Sequence, residues 1–207
     1  MPDLNIDIAD CAVVTFELQR GVAGDLFTMP VIREAILASG IIPALERLLG
    51  PCRKAGVPVV HMCVARRADG HGTFRNMPYV NQHMDAMKGD KKADVMAVGS
   101  PGVEVIPELY DPSDIIVQRL HGVSGFHDTG LDSMLRSLGK STIIMTGSSV
   151  NRGVTGTTIE GVNRGYTMVI PREGVSGYPL EYKDMMLEHS LRQIAHVCSV
   201  DDVLALL

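Results

Sequence analysis

The chain has 207 residues, of which 45% are hydrophobic, enough to bury the core of one ordinary domain. Its net charge of −5 argues against a nucleic-acid-binding protein, because such binding relies on Lys and Arg that neutralise phosphates. No stretch approaches the roughly 20 apolar residues of a membrane helix and no leader sequence begins the chain, so we expect a cytoplasmic protein.

The four cysteines are scattered through the chain rather than grouped. They are Cys11, Cys52, Cys63 and Cys198. Because none has the CxxC or similar spacing of metal ligands, they predict neither a zinc site nor a disulfide framework. We expect free thiols that are mostly buried.

Five short, apolar, β-branched runs predict strands. They span residues 11–16, 57–62, 114–117, 141–145 and 166–170. The runs are apolar almost throughout instead of alternating, which predicts strands covered on both faces, as in a parallel sheet. The last run ends at Pro171, which cannot donate a hydrogen bond to a sheet.

Helical patterns separate these runs. They lie at residues 41–49, 131–138, 154–162 and 182–195. Alternating strands and helices predict a single α/β domain over residues 1–207: a three-layer α/β/α sandwich around a doubly wound, mostly parallel sheet of about six strands. In such sheets ligands bind outside the carboxyl ends of the strands, so residues just after each run become candidates for a site.

A long interval, residues 65–112, contains no convincing strand. It is rich in Gly, Asn, Met, His and charge, and it predicts one short helix around residues 79–87. We interpret it as an excursion over the ligand pocket. A loop that serves only an oligomer interface is an equally good interpretation.

Polar residues follow the first two predicted strands. Phe16 and Glu17 end the first, where Glu17 could act as a general base, orient an amide, or simply pair with Arg20 as an ordinary surface acid. Cys63 and Arg66 end the second. Cys63 is placed for a nucleophile, although a packed thiol is the commoner role, and Arg66 could bind a carboxylate.

The third predicted strand leads into a segment with a cation, an imidazole and an aromatic ring. These are Arg119, His121 and Phe126. An imidazole here could act as an acid or base near neutral pH, or be a hydrogen-bonded structural group. Phe126 could form an aromatic wall of the pocket.

The fourth predicted strand ends in a turn rich in Gly and Ser that enters a helix. The candidate ligand-binding residues of this turn are Ser148, Ser149, Asn151 and Gly153. Backbone N–H groups at such a helix start favour an anion or oxyanion. The turn matches neither GxGxxG nor the Walker pattern, so no nucleotide or other cofactor is predicted.

Asp69, His71 and His83 form a weak metal-ligand pattern in the excursion. No further His or Cys lies nearby in sequence to complete it. A solvated loop is the simpler interpretation, and we predict no metal.

Four segments together resemble the isochorismatase-like hydrolases, also called the cysteine hydrolase family, which includes nicotinamidases and other amidohydrolases. They are AVVTFELQ at 12–19, VSGFHDTGLD at 123–132, LGKSTIIMTG at 138–147 and GYTMVIPRE at 165–173. The resemblance covers nearly the whole chain and implies the isochorismatase-like fold. Because members are commonly dimers or tetramers, it also implies a homodimer or homotetramer.

The resemblance maps the family's catalytic Asp, Lys and Cys onto altered residues of this chain. The Asp corresponds to Glu17, the Lys to Arg119, or to Leu120 if the loop is aligned without a gap, and the Cys to Gly153. Glycine has no side chain with which to form the family's covalent acyl intermediate. The resemblance also implies a cis peptide between Ser148 and Ser149.

Three hypotheses follow. The first is a hydrolase of a small amide, imide or vinyl ether that uses Glu17 as general base, assisted by Arg119 or His121. The second is a pseudoenzyme that binds a small carboxylate or amide through Arg119 and the serine turn. The third makes Cys63 a relocated nucleophile.

Overall fold

A computed structural model describes residues 6–73, 76–86 and 95–207. Its centre is a parallel sheet of six strands in the order β3-β2-β1-β4-β5-β6. The strands are β1 (Cys11–Phe16), β2 (Val59–Val64), β3 (Ile115–Arg119), β4 (Thr142–Gly147), β5 (Thr167–Pro171) and β6 (His196–Cys198). The α/β class and the parallel sheet predicted from the sequence are confirmed.

Seven α-helices cover the two faces of the sheet in the described ranges. They are α1 (Pro30–Ala38), α2 (Ile41–Lys54), α3 (Pro78–Ala86), α4 (Leu131–Ser137), α5 (Gly153–Asn163), α6 (Leu180–His189) and α7 (Val200–Leu204). Buried residues of α1, α2 and α7 pack on one face, and those of α4, α5 and α6 pack on the other. The result is a three-layer α/β/α sandwich.

The side chains of β1 divide between the two cores because successive residues of a strand point to opposite faces. Cys11 and Val13 belong to the core under α2, whereas Val14 and Phe16 belong to the core under α5. The ring of Phe16 is therefore directed towards the start of α5. The ring consequently packs against Gly153, the first residue of α5.

The strand order places the topological switch point between β1 and β4. From β1 the chain builds outward through β2 and β3, then returns to β4 and builds outward on the other side. The carboxyl ends of β1 and β4 thus lie side by side, with Phe16 opposite Gly147. This is where an open parallel sheet binds its ligands.

Two predictions about elements need correction. The run at 114–117 was expected to be covered on both faces, but Ile116 and Gln118 are exposed because β3 lies at the edge of the sheet. The helix expected over 182–195 ends at His189, and the chain then forms a 3-10 turn and the short strand β6. In addition, the sequence patterns did not reveal α1.

No single helix in the described ranges is long and apolar enough to cross a membrane. Taken together, α1 and α2 reach the necessary length and composition, across a bend of 64°.

Candidate active site

A cavity of about 140 Å³ opens beside the switch point. Its walls come from the ends of β1, β2 and β3, from the turn between β4 and α5, and from the excursion. The residues that line it are Phe16, Glu17, Val22, Thr28, Met29, Ile32, Val64, Ala65, Arg66, Thr73, Met77, Tyr79, Val80, Met96, Arg119, Leu120, Gly122, Val123, Ser148, Ser149, Arg152 and Gly153. The excursion at 65–112 therefore forms part of the pocket wall.

An ion pair between Glu17 and Arg119 lies in this cavity. Arg119 Nη2 donates a hydrogen bond to Glu17 Oε1, and Nη1 donates to the carbonyl of Gly122. The side chain of Glu17 is 20% exposed and that of Arg119 is 6% exposed. Glu17 also has a left-handed backbone, with φ of +53°, which non-glycine residues rarely adopt outside functional sites.

The third nitrogen of the Arg119 guanidinium, Nε, has no protein partner in the described ranges. Arg119 Nε is buried and forms no hydrogen bond with any described residue, although its guanidinium lies 5.2 Å from the centre of the Phe16 ring. A buried donor without an acceptor is uncommon in folded proteins. This donor is therefore an unsatisfied group that protein atoms enclose in the wall of the cavity.

The Phe16 ring occupies the space next to Gly153. A Cβ atom added at Gly153 would lie 2.0 Å from Phe16 Cε1 and 2.6 Å from Cδ1. Real Cβ atoms essentially never approach another atom so closely, so no side chain fits at residue 153 while the ring stays in place. The position that the resemblance assigns to a cysteine nucleophile is therefore filled by an aromatic ring from β1.

The serine turn connects β4 to α5 at the edge of the cavity. Gly147 has φ of +111° and packs so tightly on Phe16 that a Cβ would lie 2.3 Å from the Phe16 nitrogen. The N–H of Ser148 donates to the Phe16 carbonyl at 2.8 Å, and the peptide between Ser148 and Ser149 is cis. Both serines are buried in the cavity wall.

Gln19 holds the loop after β1 in position. Its amide donates to the carbonyls of Val64 and Gly102, and its Oε1 accepts from the N–H of Val64 at 2.7 Å. This completely buried side chain ties the end of β1 to β2 and to the excursion. Gln19 belongs to the first segment of the family resemblance, yet its positioning role was not predicted.

Two further arginines line the cavity. Arg66, which was predicted, follows β2, and Arg152, which was not, precedes α5. The signal for Arg152 was available, because a cation directly after the fourth strand and before a helix start lies at the same sheet edge as Glu17. The sequence interpretation of that turn considered only backbone donors and small side chains.

The structure does not bring four of the sequence candidates to the cavity wall. Cys63 points into the core under α2, where burial and the charge of Glu17 raise the pKa of its thiol to about 12. His121 packs against the loop at Gly72, and Phe126 stacks on Tyr166 in the opposite core. The remaining candidate, Asn151, uses its side-chain amide to hold the backbone of residue 178.

Two residues of the weak metal pattern, Asp69 and His71, lie close together in the excursion. Asp69 pairs with Arg67, which lowers the pKa of the carboxyl to about 2, and lies 3.9 Å from His71. The side chain of His83 lies outside the described residues. Among the side chains that the structure does describe, no group of three or more His, Cys, Asp or Glu could hold a metal ion.

A second polar network crosses the sheet beneath the cavity. Thr15 Oγ1 and His61 Nδ1 are 2.6 Å apart, and His61 Nε2 lies 3.0 Å from Asp114 Oδ2, which also accepts from Arg53. A hydroxyl, an imidazole and a carboxylate in this order resemble a hydrolytic triad. All three side chains are about 99% buried and none lines a described cavity, so no substrate reaches them.

Comparisons with known proteins agree with this architecture. The profile of the isochorismatase domain matches residues 11–202. The chain belongs to the isochorismatase family. It is 27% identical to the isochorismatase family protein YecD of Escherichia coli O157:H7, over 97% of this chain and 98% of YecD.

Two other isochorismatase-family relatives carry more specific names. A cysteine hydrolase from Pseudomonas syringae pv. phaseolicola 1448A superposes with a TM-score of 0.79 and 25% identity, over 97% of this chain and 93% of that one. The ureidoacrylate amidohydrolase RutB of Methylorubrum extorquens is 33% identical over 99 residues, which are 47% of this chain and 35% of RutB. This chain is accordingly an isochorismatase-family hydrolase by descent.

Proposed function

We propose that this protein hydrolyses a small amide, imide or vinyl ether with Glu17 as general base and without a cysteine nucleophile. The observation that carries the proposal is the Phe16 ring beside Gly153, where a Cβ would lie 2.0 Å from a ring carbon. A covalent acyl intermediate at this position has no side-chain atom on which to form. Water must then attack the substrate directly.

Glu17 is the carboxylate placed to activate that water. Arg119 holds Oε1, which leaves Oε2 able to accept a proton from a water in the cavity. The water oxygen bonds to the substrate carbonyl carbon while its proton moves to Glu17. The C–N bond then breaks, and the same proton passes from Glu17 to the leaving nitrogen.

A vinyl ether requires the opposite first step from the same side chain. Glu17 in its acid form gives a proton to the terminal carbon, and water adds to the resulting oxocarbenium ion. One proton of the added water returns to Glu17, and the other passes to the ether oxygen as the C–O bond of the adduct breaks, which releases an alcohol and a carbonyl product. In the amide reaction Arg119 fixes the carboxylate and supplies positive charge beside the developing oxyanion, which favours the amide over the vinyl ether.

The amide class has additional support from one relative. RutB is named an amidohydrolase, and its similarity to this chain extends over 99 residues. The cytoplasmic location and the homodimer or homotetramer remain predictions.

A substrate panel with two variants tests the proposal. Primary amides, ureido compounds, imides and vinyl ethers are incubated with the protein, and the release of ammonia or carbonyl product is measured. Glu17→Gln should lower kcat at least 100-fold, since general acid–base catalysis contributes about 10²–10⁴. Cys63→Ala should keep the wild-type rate, because Cys63 lies in the core.

The opposite pattern of activity in the two variants would show that the Glu17 hypothesis is wrong. Turnover that survives Glu17→Gln but disappears in Cys63→Ala would overturn the proposal in favour of a relocated nucleophile. Folding of each variant is checked by circular dichroism and thermal unfolding, so that loss of activity is not confused with loss of structure.

One observation favours a second candidate, a protein that binds a small carboxylate or amide without turnover. The Glu17 carboxylate is already held by Arg119, a side chain that stays protonated and cannot shuttle a proton as a lysine can. Stabilisation by such ligands in thermal unfolding, with no product from any member of the panel, would support this candidate over the hydrolase.

A further inference from the structure

The described wall of the cavity carries more positive than negative charge. Arg66, Arg119 and Arg152 line it, whereas Glu17 is the sole carboxylate among the lining residues in the described ranges. Glu17 compensates Arg119 through their ion pair. Arg152 has no carboxylate partner among the described side chains, so a ligand with a negative group would compensate its charge and a neutral ligand would not.

Arg152 differs from most arginines of this chain in its partners. Arg20, Arg53 and Arg164 each pair with at least one carboxylate. The guanidinium of Arg152 instead lies on aromatic rings, 4.1 Å from the centre of Tyr79 and 5.9 Å from that of Tyr178. It makes no ion pair with any side chain that the structure describes.

Aromatic faces attract the charge of Arg152 but leave its hydrogen-bonding capacity unused. A guanidinium has five N–H donors in a planar fork, and the ring faces attract it without replacing an oxygen acceptor. The fork matches the two oxygens of a carboxylate. Arg152 is also half-buried, so its donors are only partly available to bulk water.

The surroundings of Arg152 fix its position. Its backbone N–H donates to the carbonyl of Ser149, within the turn that lines the cavity. Tyr178 is held by two hydrogen bonds between its backbone and the Asn151 amide, at 2.6 and 3.0 Å. Tyr79 comes from α3 in the excursion. A cation held between two rings loses little freedom when it binds an anion.

We propose that Arg152 binds a carboxylate of the substrate and determines specificity for anionic over neutral amides, a step that rests on the proposed function. The scissile group then lies at Glu17 and the substrate carboxylate at Arg152, on the same cavity wall. The substrate class that this arrangement predicts is a small amidated carboxylic acid.

Binding of three matched probes tests this assignment. Succinate, succinamate and succinamide have similar shapes and carry two, one and no carboxylates, and their binding is measured by calorimetry. Arg152→Gln should weaken binding of succinate and succinamate at least tenfold and leave that of succinamide unchanged. Arg152→Lys should restore part of the loss, because it keeps the charge without the planar fork.

Arg47→Gln is the matched control. It removes the same charge from an exposed arginine that pairs with Asp201, far from the cavity lining. If Arg47→Gln weakens succinate binding as much as Arg152→Gln, the effect is one of net charge and the assignment is wrong. The assignment also fails if inorganic phosphate displaces succinate from the wild type and binds more tightly, since the site would then select phosphate.

Kinetics separate this inference from the proposed function. If the wild type hydrolyses succinamate and Arg152→Gln raises the KM for succinamate and for succinamide equally, the hydrolase stands and the role of Arg152 fails. If no amide is hydrolysed but succinate binding depends on Arg152, the hydrolase fails and the carboxylate site stands. If the wild type binds no succinate, the role of Arg152 fails whatever the turnover.

Discussion

One polar cluster begins at Thr15 in β1 and another at Glu17, directly after that strand, and the two behave differently. The first, the threonine network, joins Thr15, His61, Asp114 and Arg53 across the sheet. The second, the glutamate cluster, consists of Glu17, Arg119, Phe16, Arg152 and Gly153, all of which line the cavity. Both combine a carboxylate with an arginine and resemble catalytic groups, yet they differ in how completely their hydrogen bonds are made.

The threonine network is saturated by protein partners. The Asp114 carboxylate accepts from two nitrogens of Arg53, at 2.9 and 2.7 Å, and from the N–H of Asp111, and it contacts His61. The glutamate cluster leaves the buried Nε of Arg119 without a partner. A complete set of partners indicates a structural role, whereas the glutamate cluster combines an unsatisfied donor with side chains that line an open cavity.

The largest effect should come from breaking the threonine network. Asp114→Ala removes the buried carboxylate that compensates Arg53, at the end of α2, and contacts His61. Removing one partner of a buried pair typically costs about 3–5 kcal/mol. Urea unfolding followed by circular dichroism measures the change. A cost below about 1 kcal/mol, no more than an exposed pair contributes, would contradict the structural role.

A smaller loss of stability is expected from a substitution at Gly153, where the glutamate cluster is most tightly packed. Gly153→Ala places a Cβ 2.0 Å from Phe16 Cε1 and should cost about 1–3 kcal/mol through overpacking. Gly156→Ala is the matched control in the same helix, because its Cβ would meet Val123 at an ordinary 3.4 Å. That control should be neutral or stabilise the protein by up to about 1 kcal/mol.

A double-mutant cycle shows whether the ring causes this cost. In a Phe16→Leu background, Gly153→Ala should cost at least about 1 kcal/mol less than in the wild type. Equal costs in both backgrounds would show that the ring can move aside and that it does not exclude a side chain at residue 153.

The sequence predicted the fold better than the partners within the site. Apolar runs located five strands, and β1 has the predicted bounds, because burial on both faces of a parallel sheet leaves a clear signal. The exposure of β3 was not predictable from its own residues, since Ile116 is apolar but lies on an edge strand. Edge position depends on strand order, which local patterns do not encode.

Within the site, the sheet edge was predictable but side-chain direction was not. Glu17 and Arg119 were expected near each other because both follow parallel strands, and they form an ion pair. Cys63 was expected at the same sheet edge. It lies in β2, however, where side chains alternate between the two faces, and its thiol points into the core under α2. The approach of Phe16 to Gly153 depends on packing between two segments 137 residues apart, for which the sequence carries no local signal.

Acid should distinguish the network carboxylate from a solvated one. Burial opposes ionisation of Asp114, but hydrogen bonds from His61 and Arg53 outweigh it and lower the pKa of the carboxyl below its ordinary value. Because the folded-state pKa is lowered, the stabilisation is present above the unfolded-state pKa of about 3.9 and is lost as pH falls through the folded-state value.

The measurement compares unfolding of the wild type with that of Asp114→Asn between pH 7 and pH 2. The stability difference between the two proteins should be constant above about pH 5 and shrink towards acid pH. A difference that stays constant down to pH 2 would mean that the Asp114 carboxylate is not the group that titrates. Asp69→Asn is the exposed control: Asp69 pairs with Arg67 at the surface, where solvent screens the pair, so this variant should change stability at pH 7 by less than Asp114→Asn does.

The smallest effect on stability should come from Arg152, and it is the most informative about the comparison. Arg152→Gln loses only contacts with the rings of Tyr79 and Tyr178, which are worth about 0.5–1 kcal/mol. The same substitution at Arg53 should cost about 2–3 kcal/mol, because it removes two hydrogen bonds to the buried Asp114 carboxylate. Urea unfolding of both variants gives the two values. If Arg152→Gln destabilises the protein as much as Arg53→Gln, then Arg152 mainly stabilises the fold. The two clusters would then not differ in their roles, and the ligand-binding role of Arg152 would lose its support.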